Sequence, residues 1–181
     1  TKGAMAYLAE TNGVRVLFTG DHCMIGNAGP DDEAEIEITV KKAADSSGGS
    51  GDLQFTGTAN TYAGPTKVSS KTFRFTSIAN IGTACSLGKP TTAENAKLTI
   101  ANVARLIGTS TSSYTTDRPI SFSSQFYVDN GTLTINGPFT GNGSMRGAGT
   151  FKINTYLAAG SLSNCSRTDK GTTQFMCPTN A

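Results

Sequence analysis

The densest group of side chains able to do chemistry lies between residues 21 and 37. His22 is flanked by Asp21 and Cys23, Asp31, Asp32 and Glu33 follow a Gly- and Pro-containing loop, and Glu35 and Glu37 complete the run. His22 is the single imidazole of the chain, so any Ser-His-Asp or Cys-His mechanism must pass through it. Asp21 cannot orient that ring by adjacency alone, and no G-x-S-x-G elbow is present. The residue types fit a solvated loop histidine better than a catalytic base. Paired carboxylates can hydrolyse glycosides, but the chain has no Trp to form a sugar platform. Glu33, Glu35 and Glu37 also alternate with Ala34, Ile36 and Ile38, which describes a strand with one wet and one apolar face. Oxygen ligands in a Gly-containing loop suit a hard cation, which makes Asp31, Asp32 and Glu33 the calcium candidates, although their spacing departs from the D-x-D-x-D-G pattern. No other cofactor is expected, and the catalytic set is empty. The expectation is a protein that is not an enzyme, with hydrolysis through His22 or the 31–37 carboxylates the weakest of the readings.

Binding chemistry is sparse in the same way. Tyr62 and Tyr114 fall in polar stretches and are the aromatic candidates for a carbohydrate surface built from loops around 21–33, 60–66 and 109–117. Three N-x-S/T sequons place glycosylation candidates at Asn130, Asn142 and Asn164. The formal net charge is +2, and the basic residues form no stripe with interleaved aromatics, so no nucleic-acid partner is expected. No apolar run approaches the ~20 residues that span a bilayer.

Four cysteines, Cys23, Cys85, Cys165 and Cys177, are widely spaced in Ser/Thr/Gly-rich surroundings. An even count without a C-x-x-C motif favours two disulfides and an oxidising compartment over a zinc site. Of the three connectivities, Cys23–Cys85 with Cys165–Cys177 is the expected one, because the second pair brackets a short polar loop. The chain opens at Thr1 with no signal peptide visible, as a processed secreted product would.

The elements that must position these residues follow from composition and periodicity. Charged residues make up 15% of the chain and glycines number 21; Ser, Thr and Asn carry the remaining polarity. That mixture suits strand surfaces and tight turns and disfavours exposed helices. From Pro119 to Tyr156, Phe122, Phe126 and Val128 share one parity, and Leu133/Ile135 and Phe151/Ile153 alternate with polar residues. Asn130-Gly131 reads as a two-residue hairpin turn, which makes this stretch an antiparallel meander. Residues 4–8 and 14–18 flank Asn12-Gly13 as a second hairpin or, alternatively, a free arm. Residues 53–59 and 71–78 are further strands, and 44–52 is a flexible loop. Residues 92–107 carry a Thr91/Glu94 capping box and a helical apolar face, yet Thr99, Ile100, Val103 and Ile107 are β-branched, so helix and strand both remain open. No repeat of fixed period covers the chain.

The fold expected is therefore all-β: one antiparallel β-sandwich over residues 1–181, of jelly-roll or immunoglobulin-like meander type, with at most one short helix near 92–107. Residues 1–10 stand as an exchanged strand or arm. The function expected is a secreted, cell-surface structural subunit that self-assembles into a filament, pilus-like fibre or coat. Ala4, Met5, Ala6, Tyr7 and Leu8 would add as a strand to the sheet edge of a neighbouring copy. The alternative is a secreted carbohydrate-binding or adhesin module with glycans as partners.

Overall fold

The computed structural model describes residues 52–69, 72–157 and 161–176, and upstream of these the strand segments 8–10, 16–18, 36–38 and 40–42. The strands are β1 (Leu8–Glu10), β2 (Val16–Phe18), β3 (Ile36–Ile38), β4 (Val40–Lys42), β5 (Asp52–Phe55) and β6 (Thr66–Val68). β7 (Thr72–Phe75), β8 (Leu98–Ile100), β9 (Val103–Leu106), β10 (Ser113–Thr116), β11 (Ile120–Phe122) and β12 (Gln125–Val128) follow. The last are β13 (Thr132–Ile135), β14 (Phe139–Gly141), β15 (Ser144–Arg146), β16 (Thr150–Ile153), β17 (Ser166–Arg167) and β18 (Thr172–Phe175).

All of these strands pair in parallel. Sheet I runs β14-β11-β8-β6-β3, sheet II β17-β15-β12-β9-β7-β5-β2 and sheet III β10-β13-β16-β18, with β1-β4 as a separate pair. Consecutive strands of the chain fall in different sheets. The backbone therefore winds as a β-solenoid of about 5 turns, rather than folding as an antiparallel β-sandwich. Val103, Gln125, Ser144 and Ser166 are successive register partners, so a coil takes roughly twenty residues, within the period range of solenoids.

The physical basis of this correction lies in the alternation itself. Phe122, Phe126, Val128, Leu133, Ile135, Phe151 and Ile153 are all buried, at 3% exposure or less. Period two reports which face is apolar; it does not report the direction of the neighbouring strand. Most parallel sheets are covered on both faces and read as unbroken apolar runs. A solenoid sheet is covered on its inner face alone, so it carries the alternation usually associated with antiparallel pairs. Asn130-Gly131 does not close a hairpin either, because β12 and β13 belong to sheets II and III. Gly131 has φ 76°, and a Cβ there would run into the carbonyls of Ser112 and Thr109 in the coil below. The glycine turns a corner against the neighbouring coil. In the N-terminal stretch, β1 pairs with β4 and β2 with β5, which replaces the first hairpin.

The stretch 92–107 is not a helix. A single turn, in which the Ala96 N–H donates to the Thr92 carbonyl at 3.0 Å, leads into β8 and β9. Leu98, Ile100, Ala104 and Leu106 are buried on their inward faces. The β-branched residues Thr99, Ile100 and Val103 take their favoured extended state, and tertiary stacking overrides the weak capping signal.

Inside the coils, like side chains stack in register. Leu53, Phe73, Ala104, Phe126 and Met145 form one column of sheet II, and Leu133 and Phe151 one column of sheet III. Edge-on ring contacts join columns, Phe55 to Phe73 at 5.1 Å and Phe126 to Phe151 at 5.4 Å. Each such buried side chain contributes about 1.5–3 kcal/mol. At the last described coil two of the columns turn polar, while a third continues at Phe175. Arg167 follows Met145 and Thr173 follows Phe151. The Arg167 guanidinium folds over the Phe151 ring at 5.2 Å and donates to the Arg146, Gly147 and Gly149 carbonyls. Its burial draws its pKa below the ordinary arginine value. The guanidinium thereby shields the Phe151 ring.

Residues 76–97 depart from the coil as an inserted loop, held by Arg118. This side chain is 1% exposed and makes no ion pair among the described residues; it donates to the carbonyls of Ala79 (2.9 Å), Leu87 (2.6 Å), Gly88 (2.9 Å) and Thr83 (3.3 Å). Thr116 and Asp117 reinforce it by bonding Ala79 and Ile81. The loop thereby covers the open edge of β10, the first strand of sheet III.

Candidate functional site

The outward residues of a solenoid form rows, spaced along each sheet at the ~4.8 Å interstrand distance. Two such rows border clefts. The first crosses sheet I, where Thr99, Ser121 and Thr140 are consecutive register partners. With Ser123, Asn142, Ser161 and Ser163 they line a cleft of about 560 Å³. The cleft forms because β14 is the last strand of sheet I. Beyond it, among the described residues, Gly141 donates its N–H to the Ser161 carbonyl at 2.7 Å and accepts the Cys165 thiol at 3.2 Å. Gly141 also lacks the Cβ that would collide with the Phe122 ring, so the floor stays low at that edge. Among the described residues no ionisable side chain lines this cleft. Hydroxyls and one amide, each able to donate and accept, are its whole polar inventory.

The second cleft lies on sheet II and measures about 470 Å³, with Arg105, Tyr127, Asp129, Asn130, Asp169 and Lys170 among its lining. Arg74, Arg105, Tyr127 and Arg146 occupy consecutive outward register positions. Arg105 grips Asp129 through two bonds, Nε to Oδ2 at 3.1 Å and the terminal nitrogen to Oδ1 at 2.7 Å. Its guanidinium carbon lies 4.2 Å from the Tyr127 ring centroid, and that of Arg146 lies 5.9 Å from the same ring. An aromatic ring interposed between two cations offsets the repulsion that like charges on neighbouring strands would otherwise create. Asp169 accepts the Gly147 N–H at 2.8 Å, so both carboxylates are engaged by the protein.

The residues singled out from sequence are dispersed. His22, Asp31, Asp32, Glu33, Ala4, Met5, Ala6 and Tyr7 lie outside the described residues; Leu8 begins β1. Among the described residues no three His, Cys, Asp or Glu side chains come together as a metal site. The tyrosines are structural rather than exposed. Tyr62 is buried, its hydroxyl 2.9 Å from the Thr66 hydroxyl, and Tyr114 packs against the core from sheet III.

The disulfide expectation is overturned for the thiols that are described. Cys85 and Cys165 are free; Cys23 and Cys177 fall outside the described residues. Cys85 is 1% exposed and sits within the Arg118 knot, its sulfur 3.3 Å from that guanidinium. Cys165 donates to the Gly141 carbonyl at 3.2 Å, and burial pushes its thiol pKa up, against the opposing effect of a backbone bond at Gly143. Both thiols are used as small hydrogen-bonding groups, and the compartment argument drawn from disulfides loses its structural support.

Asn130, Asn142 and Asn164 are all exposed. Asn142 and Asn164 precede the register partners Ser144 and Ser166, whose hydroxyls lie 2.9 Å apart.

Sequence reasoning missed both clefts. The signal available was the recurrence of short polar-apolar triplets such as Leu98–Ile100, Ile120–Phe122 and Phe139–Gly141, whose central residues form the first row. No helix among the described residues is long and apolar enough to cross a membrane. The chain matches no protein-family model, no curated protein and no solved structure.

Proposed function

We propose that this chain is a non-catalytic carbohydrate-binding solenoid, an adhesin-like module that holds an extended glycan against its outward faces. The observation that carries this reading is the first cleft. Its hydroxyls Thr99, Ser121 and Thr140 repeat at coil spacing, no charged side chain is among the described lining, and the row reaches its first charge at Lys67, one coil beyond Thr99. Neutral polyols are recognised by hydrogen bonds to hydroxyl and amide groups held on rigid elements, and the strands supply that rigidity. Four of the described charged groups support the fold: Asp117 on the Ile81 N–H, Asp129 on Arg105, and Arg118 and Arg167 on backbone carbonyls. A glycan array probed with the purified chain, with and without calcium, tests the reading. Selective retention of a set of glycans is expected, and uniform absence of binding would remove it.

A second reading is association of copies end to end. It is favoured by the C-terminal coil, where Phe175 is 59% exposed although it continues the inward column of Ile135 and Ile153. Tyr156 and Met176 add further exposed apolar surface, and β14, β17 and β18 are the last described strands of their sheets. Light scattering across a concentration series distinguishes it. Concentration-dependent growth abolished by Phe175→Asp supports association, and a monomer at all concentrations excludes it.

A further inference from the structure

We infer that the cleft on sheet II is a subsite for the anionic substituents, carboxylate or sulfate ester, of an acidic polysaccharide; the inference rests on the glycan-binding reading above. Arg105 and Lys170 line the cleft, and Arg146 stands beside it as the register partner of Tyr127. Asp129 engages Arg105 through Nε and one terminal nitrogen. The other terminal nitrogen of Arg105 has no acceptor among the described residues. Arg146 makes one long bond, to the Tyr127 hydroxyl at 3.4 Å, and its Nε is buried without an acceptor. Lys170 is exposed at the rim.

The arrangement differs from a solvated charge run in two respects. Tyr127 holds the guanidiniums by ring contacts, which fixes them at little entropic cost and leaves N–H groups directed away from the ring. Asp129 anchors Arg105 and Asp169 anchors the Gly147 turn, so the carboxylates organise the cations while offsetting part of their charge. A fixed guanidinium offers the planar fork that matches a carboxylate or sulfate. Arg105 and Arg146 stand two register steps apart with Tyr127 between them, roughly 10 Å along the row, so they can meet substituents on neighbouring sugar units. A double helix needs a broad basic surface, which this short cleft does not provide.

Isothermal titration calorimetry of the full chain tests the assignment. The probes are a galacturonic acid hexamer, a sulfated galactose hexamer and a neutral galactose hexamer, each at low and physiological ionic strength. The acidic oligomers are expected to bind at least about tenfold more tightly than the neutral one, with affinity that falls as salt rises. Comparison of the two acidic probes shows which substituent is preferred. Arg146→Gln with Lys170→Gln should lower acidic-oligomer affinity about tenfold and leave the neutral oligomer unchanged. Lys170→Gln alone, at an exposed position, keeps the test open should the double variant fold poorly. Equal affinity for acidic and neutral oligomers would overturn the subsite while leaving the glycan-binding reading in place. Wild-type acidic binding in Lys170→Gln and the double variant would do the same, as would equally tight binding of inorganic polyphosphate. Failure to bind any of the oligomers, with no retention on the glycan array, would remove both.

Discussion

Replacing Arg118 by Met should detach the inserted loop and lower stability by about 2–4 kcal/mol, the loss of charge-assisted hydrogen bonds whose acceptors are only partly re-satisfied. The magnitude follows from the acceptors left behind. The Ala79 carbonyl keeps the Thr116 hydroxyl at 3.0 Å and the Gly88 carbonyl keeps the Cys85 thiol at 3.5 Å. The buried Leu87 carbonyl is bonded by Arg118 and would be left without a replacement, whereas Thr83 is exposed and its carbonyl can turn to water. An unsatisfied buried acceptor costs about 1–3 kcal/mol, and the charged bonds lost at Ala79 and Gly88 add to it. Arg118→Lys keeps the charge but not the planar fork that reaches four carbonyls at once, and should recover part of the loss. Urea denaturation followed by circular dichroism measures the change. Hydrogen exchange at Gly82 and Lys89, whose amides bond Pro90 and Tyr62, reports whether the loop has left. A loss below about 1 kcal/mol, within the range of a single ordinary hydrogen bond, with both amides still protected, would refute the assignment of Arg118 as the anchor.

Phe126→Ala removes a fully buried ring that contacts Phe122 and Phe151, and chemical denaturation should show a loss of about 3–5 kcal/mol. Gly131→Ala should cost more than the ~1–2 kcal/mol of a left-handed backbone alone, because the added Cβ also meets the carbonyl of Ser112; the shift in thermal midpoint reads it. Alkylation of the native protein followed by peptide mass mapping should label Cys165 and spare the buried Cys85 until denaturant is added. Because the folded-state pKa of Cys165 is raised, the fold favours the protonated thiol. Its contribution is therefore complete below the ordinary thiol pKa of 9.0 and is lost as pH rises through the higher folded value. Cys165→Ser should remove that alkaline component from the pH dependence of unfolding.

The amino-acid pattern made the local structure readable and hid its assembly. Alternation over 120–128 and 132–135 places the right side chains inside, since that depends on period alone. Strand direction depends on which segment lies alongside, and nothing local to Asn130-Gly131 separates a hairpin from a solenoid corner. The repeat was obscured because successive coils differ in length and the 76–97 insertion enlarges one of them. The equivalent inward positions hold Ala104, Phe126, Met145 and Arg167, which share no residue type. Arg118 reads in sequence as one dispersed cation among many; only the folded loop shows what it grips. The clefts were equally hidden, because Thr99, Ser121 and Thr140 become neighbours only once the coils are stacked.

The direct test of glycan recognition through the outward row is Ser121→Phe. Ser121 is central in the first cleft and points away from the core, so the ring would fill the cleft without disturbing the columns inside. Binding of the glycans retained on the array, measured by calorimetry, should fall at least about tenfold while the thermal midpoint stays at the wild-type value. Unchanged glycan affinity in a folded Ser121→Phe protein would contradict the account.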